Sequence, residues 1–250
     1  MTHDSLDDIL CGERLTAVFQ PIAGSRDLDI VGYEGLIRGP AGSPLETPAA
    51  LFAAARAAGR QAELERACLR TVWSRFAALA LPGRLFANTS AATLLAPRAL
   101  AGELAGLGID GSRVAIELTE EQAVGDHARL RRVARRLGRH GFTFAIDDLG
   151  AGYASLRLWL ELRPDWVKID MVFVRGIDRD PVRQAFLAAI RDIARACGTR
   201  VIAEGVETEG ELAAVRALGI DHVQGYYLAR PSAVPPRVLR AAGEVEKRAA

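Results

Sequence analysis

Cysteine is scarce in this sequence. Cys11, Cys68 and Cys197 stand far apart, are odd in number and form no C-x-x-C pair. That sets aside a disulfide framework, and a reduced, cytoplasmic setting with buried or inert thiols is the expectation. Histidine is also thin. His3, His127, His140 and His222 show no H-x-x-x-H or similar spacing, which argues against histidine ligands for a metal. Long apolar runs are missing as well. The stretch Pro48–Gly59 is Ala-rich, carries Arg56 and is too short to span a bilayer. The start, Met1 to Asp8, is acidic and lacks the apolar centre of a signal peptide. A soluble chain with no membrane insertion is expected.

Neither sign of charge dominates, since 32 Lys+Arg face 31 Asp+Glu for a net charge of +1. This argues against a partner such as DNA or RNA, whose affinity rests on clustered cations. One small phosphate ligand stays compatible with it. The basic run Arg129, Arg131, Arg132, Arg135, Arg136 and Arg139 has helical spacing, and it reads as the solvated face of an outer helix. Gly150-Ala151-Gly152 lacks the third glycine and the following helix of a dinucleotide fingerprint, and it reads as a flexible loop.

What is present is half hydrophobic and a quarter charged, over 250 residues. That is ample for one packed core, and α/β barrels commonly reach about this length as a single domain. Strand-like runs are predicted at Val18–Pro21, Ile30–Ile37, Leu85–Asn88, Val114–Leu118, Thr143–Asp147, Trp166–Ile169, Arg200–Ala203 and His222–Tyr227. Between them, helices are predicted at Pro48–Leu79, Ala91–Ala105, Ala123–Arg139, Ser155–Leu160, Val182–Ala196 and Glu209–Leu218. Thr208 with Glu211 forms a capping box, and Asp180 ahead of Pro181 is placed to cap the start of the Val182–Ala196 helix. Gly141, Gly198 and Gly219 follow helical stretches, where a left-handed cap needs glycine.

Repeated alternation of this kind reads as an α/β fold, a modified (β/α)8 TIM-type barrel. The first two runs are joined by a short polar turn around Gly24–Asp29, so one strand is expected to run antiparallel. Residues 1–13 read as an N-terminal extension and 14–250 as one barrel domain. Asp4 to Asp8 and the charged end from Glu244 read as solvated termini.

Polar residues stand where the strands stop. Glu34 lies within its run, Asn88 ends Leu85-Phe86-Ala87, and Glu117 interrupts Val114–Leu118. Asp147-Asp148 close Phe144-Ala145-Ile146. Lys168 and Asp170 end their strand, Glu204 follows Val201-Ile202-Ala203, and Gln224 follows His222-Val223. In a barrel these positions converge on one rim. A lone buried carboxylate is commonly a satisfied structural group, whereas several together cost free energy unless cations compensate. Carboxylates with an Asn carbonyl make a hard oxygen set that suits Mg²⁺ or Mn²⁺ better than zinc. Asp147-Asp148 suits two metals a few ångströms apart, as in phosphodiester hydrolysis. A purely structural polar network is the alternative.

These residues match a known pattern. Phe19-Gln20-Pro21-Ile22, Glu34-Gly35-Leu36-Ile37-Arg38, Asn88-Thr89-Ser90, Glu117-Leu118-Thr119-Glu120, Asp147 to Tyr153, Lys168-Ile169-Asp170, Ala203 to Thr208 and Gln224-Gly225-Tyr226 occur in order over about Arg14 to Pro231. Together they resemble the EAL-type cyclic di-GMP phosphodiesterases, bacterial enzymes with a modified barrel. The resemblance implies two Mg²⁺ or Mn²⁺ ions per active site. Glu34, Asn88, Glu117 and Asp147 would hold one, and Asp147 would bridge to a second also held by Asp148. Lys168 and Glu204 would position and activate the attacking water, with Glu207 beside them as a catalytic polar residue. Gln20, Leu36, Arg38 and Gln224 would contact cyclic di-GMP, and Glu120 would anchor the loop Asp148–Tyr153. The product would be linear 5′-pGpG, and the assembly a homodimer.

Two positions depart from the family pattern. The signature's alanine is Gly35, expected to loosen the backbone beside Glu34, and its usual Phe after the paired aspartates is Leu149. Neither removes a ligand. A non-catalytic cyclic di-GMP receptor is the competing reading. Trp159 and Tyr226-Tyr227 read as packing residues before guanine-stacking ones, with stacking of a purine as the alternative. One barrel nearly fills the length, so regulation is expected from partners, oligomerisation or expression, or from segments of a longer chain of which this is a truncated part.

Overall fold

β-branched and aromatic runs alternate with Ala/Leu/Arg segments, and the chain folds accordingly into eight strands with helices outside them. The computed structural model describes residues 5–12, 14–94, 102, 104, 106–119, 127–150 and 155–239. The strands are β1 (Thr16–Gly24), β2 (Ile30–Arg38), β3 (Arg84–Asn88), β4 (Val114–Thr119), β5 (Thr143–Leu149), β6 (Trp166–Ile169), β7 (Arg200–Ala203) and β8 (His222–Val223). They close into a barrel in sequence order. β1 runs antiparallel to both β2 and β8, and the other neighbours are parallel. The antiparallel strand expected from the short first turn is therefore β1. That turn is tied by Gly24 N–H donating to Asp29 O at 2.9 Å and by the Asp27 carboxylate accepting from Asp29 N at 3.0 Å.

Strand side chains alternate between faces, so residues two apart line the same side. Ile22, Phe86, Ala115, Ala145, Trp166 and Ile202 are fully buried and form their own cluster, an apolar plug in the barrel. Two positions along each strand stand Gln20, Asn88, Glu117, Asp147, Lys168 and Glu204. The plug is thus the floor beneath a polar layer, made by the period-2 pattern alone. A second, larger apolar cluster packs the strands' outer faces against the helices.

The helices are α1 (Leu6–Cys11), α2 (Pro48–Ala57), α3 (Gln61–Ala78), α4 (Ala91–Leu94), α5 (His127–Gly138), α6 (Ser155–Leu162), α7 (Met171–Val174), α8 (Pro181–Cys197) and α9 (Glu209–Ala217). The single helix expected over Pro48–Leu79 is two helices. Gly59 adopts φ +66° between them, and Arg60 N–H turns back to Ala55 O at 2.8 Å. The last strand stops at Val223 rather than Tyr227. Gln224 O accepts from Val206 N–H, and Leu228 and Ala229 N–H bond back to Gly225 O, which makes a turn of the segment. The expected helix starts at Ala123 and the stretch beyond Leu94 fall partly outside the described residues. The short α7 has no counterpart in the sequence reading; the Asp170 side chain caps it by accepting from Val172 N at 2.7 Å.

Three anticipated caps are present. Thr208 and Glu211 form the capping box of α9, Asp180 caps α8 ahead of Pro181, and Gly198 ends α8 at φ +71°. On α5, Arg131, Arg132, Arg135 and Arg136 are exposed while Leu130, Ala134 and Leu137 are buried, so the basic run is a solvated face. Of the expectation of buried or inert thiols, burial holds only for Cys68, which is largely enclosed, and Cys11 and Cys197 are exposed. No helix among the described residues is long and apolar enough to cross a membrane.

Candidate active site

Lys168 is the centre of the polar layer. It projects from the end of β6, is 1% exposed, and its Nζ lies 2.8 Å from Glu204 Oε1, 2.9 Å from Asp147 Oδ1, 3.0 Å from Glu117 Oε1 and 3.4 Å from Glu34 Oε2. Four strands thereby aim carboxylates at one ammonium. Asn88 Nδ2 donates to Glu34 Oε1 at 3.1 Å and to Glu117 Oε2 at 3.2 Å. Gln224 Nε2 donates to Glu34 Oε2 at 2.6 Å and to Gln20 Oε1 at 3.0 Å, while Gln20 Nε2 reaches Ala229 O at 3.0 Å. Eight of the residues expected in the site thus form one connected network.

Charge in this network is unbalanced. Burial pushes the Glu117 and Glu204 carboxyls well above the ordinary range, and Lys168 offsets that only in part. Burial by itself would lower the Lys168 ammonium, but Asp147, Glu117, Glu204 and Glu34 outweigh it and hold the group well above its usual value. Asp148 is raised to about 6 by burial and then by the adjacent Asp147.

Asp147 and Asp148 reach the same site although neighbours on a regular strand face opposite ways. Pairing with β6 breaks register between Ile146 and Leu149, and Asp148 takes φ +53°, a left-handed conformation that a non-glycine residue seldom adopts. The bulge swings the second carboxylate back to the rim. Leu149, at the place of the family's Phe, is buried and pairs with Ile169.

A metal fits these donors. Glu34, Glu117 and Asp147 each offer an oxygen within 4.8 Å of the others, and so do Asp147, Asp148 and Glu204. Asp147 belongs to both groups. Glu117 Oε1 and Asp147 Oδ1 are buried with no hydrogen bond, facing only the lysine charge. All are hard oxygen donors suited to Mg²⁺ or Mn²⁺. Asn88 presents its amide nitrogen to the acids, so ligation through its oxygen needs a half-turn of the amide.

The other expected residues sit further out. Glu207 lines a cavity of about 230 Å³ together with Glu34, Asp147, Asp148, Lys168 and Glu204, and pairs with Arg175 at 2.6 Å. Leu36 lines an adjoining cavity of about 220 Å³ together with Glu65, Phe52 and Asn88. Arg38 bonds its neighbour's carbonyl, Ile37 O, at 2.7 Å. Glu120 and Ala151–Tyr153 lie outside the described residues.

Sequence reasoning missed several groups. Arg175 lies seven residues beyond Lys168 on no regular strand. Glu65 is buried on α3, where it accepts from Ser90 Oγ and from Thr93 Oγ1 at 2.5 Å; an acid among apolar helix positions was the available signal. Glu211 accepts from the N–H groups of Gly176, Glu207 and Thr208, so the capping residue also ties two rim loops together. Tyr226 is exposed on the cavity wall with Arg230 stacked 4.2 Å from its ring, not packed inside as expected. Trp159 is buried as expected.

Comparison with known proteins agrees with this geometry. A family model described as EAL domain matches residues 3–231. An Escherichia coli K12 protein named probable cyclic di-GMP phosphodiesterase PdeA is 37% identical over 123 residues, covering 49% of this chain and 17% of that one. The matched segment, about half of this chain, therefore spans less than a fifth of that relative's length. The Klebsiella pneumoniae BlrP1 structure, a manganese and cyclic di-GMP complex, superposes with a TM-score of 0.81 at 30% identity, over 88% of this chain and 57% of that one. A standalone EAL protein from Vibrio cholerae O395 in its cyclic di-GMP-bound form gives a TM-score of 0.80 at 27% identity, over 92% and 97% of the two chains.

Proposed function

This chain belongs to the EAL domain family, and on that premise we propose that it hydrolyses cyclic di-GMP to linear 5′-pGpG with two divalent cations, Mg²⁺ or Mn²⁺. The observation that carries the reading is the pair of acid groups sharing Asp147 around Lys168. Glu34, Asn88, Glu117 and Asp147 are the proposed holders of one cation, and Asp147 with Asp148 of the other. When bound, such cations polarise a phosphodiester and make water more acidic.

The chain's own groups do the rest. Glu204, raised by burial, is the proton acceptor for water, and Lys168 at 2.8 Å holds its carboxylate in place. The water oxygen bonds to phosphorus, the bond from phosphorus to the 3′ oxygen breaks, and that oxygen takes up a proton. Arg38 offers a fork to the phosphate that is not cleaved. Gln20, Gln224 and Leu36 contact the nucleotide, and Glu207 with Arg175 lines the cavity. Residues 14–250 are the proposed catalytic unit, cytoplasmic and homodimeric. Light scattering after gel filtration checks the homodimer.

Purified protein incubated with cyclic di-GMP and Mn²⁺ or Mg²⁺ should release pGpG, and a chelator should stop it. Tight binding with no product would replace the enzyme reading with a receptor.

A further inference from the structure

Gly35 follows the site carboxylate Glu34 on β2, and strand alternation turns it outward, towards α3. Its φ is not in the left-handed region, so backbone freedom does not explain the glycine. Space does. A Cβ placed on residue 35 would come within 2.3 Å of Val72 Cγ1, 3.2 Å of Leu85 Cδ1 and 3.5 Å of Phe19 Cε1. Val72 is a β-branched residue on α3, 4% exposed, so its χ1 has little freedom to swing aside. The signature's missing methyl is therefore not a gap that loosens the strand. The valine fills it.

We propose that Val72 is a positioning residue for the active site. Through its contact with Gly35 it sets where β2 holds Glu34, and the Gly35–Val72 pair works as one unit in place of the signature alanine. Restoring an alanine at 35 against an unchanged Val72 forces β2 inward or α3 outward. Glu34 is the next residue, and its carboxylate contacts Asn88 Nδ2 at 3.1 Å, Gln224 Nε2 at 2.6 Å and Lys168 Nζ at 3.4 Å. A shift of a few tenths of an ångström is enough to disturb all three. This inference rests on Glu34 serving a cation, as proposed above.

The test compares Gly35→Ala, Val72→Ala, the double variant and Leu137→Ala, a buried change on α5 remote from β2. Mn²⁺ affinity is followed by electron paramagnetic resonance and thermal unfolding by circular dichroism. Gly35→Ala should weaken Mn²⁺ binding about tenfold or more and lower the Tm, and adding Val72→Ala should bring both back towards the unsubstituted protein. Leu137→Ala should lower the Tm while leaving Mn²⁺ affinity unchanged. Normal Mn²⁺ affinity in Gly35→Ala, or no rescue in the double variant, would overturn the proposal. Failure of the unsubstituted protein to bind Mn²⁺ would instead strike the metal reading, and non-additive Tm values would then still decide whether the two residues are sterically coupled.

Discussion

Lys168 carries the burden of keeping several acids together in a dry site. A buried ammonium contacting four carboxylates is tolerable only because each side cancels part of the other's desolvation. Lys168→Met removes the only cation in those contacts. The metal-free variant should lose about 3–5 kcal/mol at pH 8 by urea unfolding, the usual cost of breaking a buried pair. The loss should shrink at pH 5. Glu117 and Glu204 have folded-state values raised above their unfolded ones, so the folded state takes up protons more readily and gains stability as pH falls. A pH-independent loss would contradict this account. Asp147→Asn addresses the chemistry instead. Asp147 is common to both acid groups, so turnover should drop by about a thousandfold or more while the fold survives, metal polarisation being worth several kcal/mol.

Local elements are fixed by caps and by a few backbone choices. The Thr208–Glu211 box starts α9, and the same Glu211 carboxylate gathers the N–H groups of Glu207 and Gly176. Thr208→Ala should therefore cost about 1 kcal/mol in thermal unfolding, the usual price of a lost N-cap. Gly59→Ala tests the break between α2 and α3. At φ +66° a side chain is strained by about 1 kcal/mol, and nothing crowds the position, so that strain is the whole expected effect. The Thr208–Glu211 box was legible in the sequence. The break was not, because Gly59 lies inside a continuous Ala-rich run and a lone glycine is equally compatible with an unbroken helix.

At the scale of the whole molecule, closure of the barrel makes a dry core on both sides of the strands, and burial decides reactivity. Cys68, enclosed near Glu65, has its thiol pushed up to about 12, first by burial and then by that charge, whereas Cys11 and Cys197 are exposed. A thiol-reactive disulfide reagent at pH 7.5 should modify Cys11 and Cys197 quickly in the native protein. Cys68 should react only after unfolding; equal rates for all three would contradict the burial pattern.

The sequence alone determined the strand–helix alternation, the antiparallel first hairpin and the convergence of Glu34, Asn88, Glu117, Asp147, Lys168 and Glu204. Those follow from local periodicity and from the placement of polar residues at strand ends, which neighbouring residues record. Tertiary structure decided the rest. It broke the register of β5 so that Asp148 joins Asp147, held Arg175 against Glu207, and closed Val72 over Gly35. The reason is physical: bulges, rim ion pairs and close packing depend on which distant segments meet, and sequence spacing does not record that distance. The scarcity of cysteine and the balanced charge excluded other designs, but only the closed barrel made a site of the remaining acids.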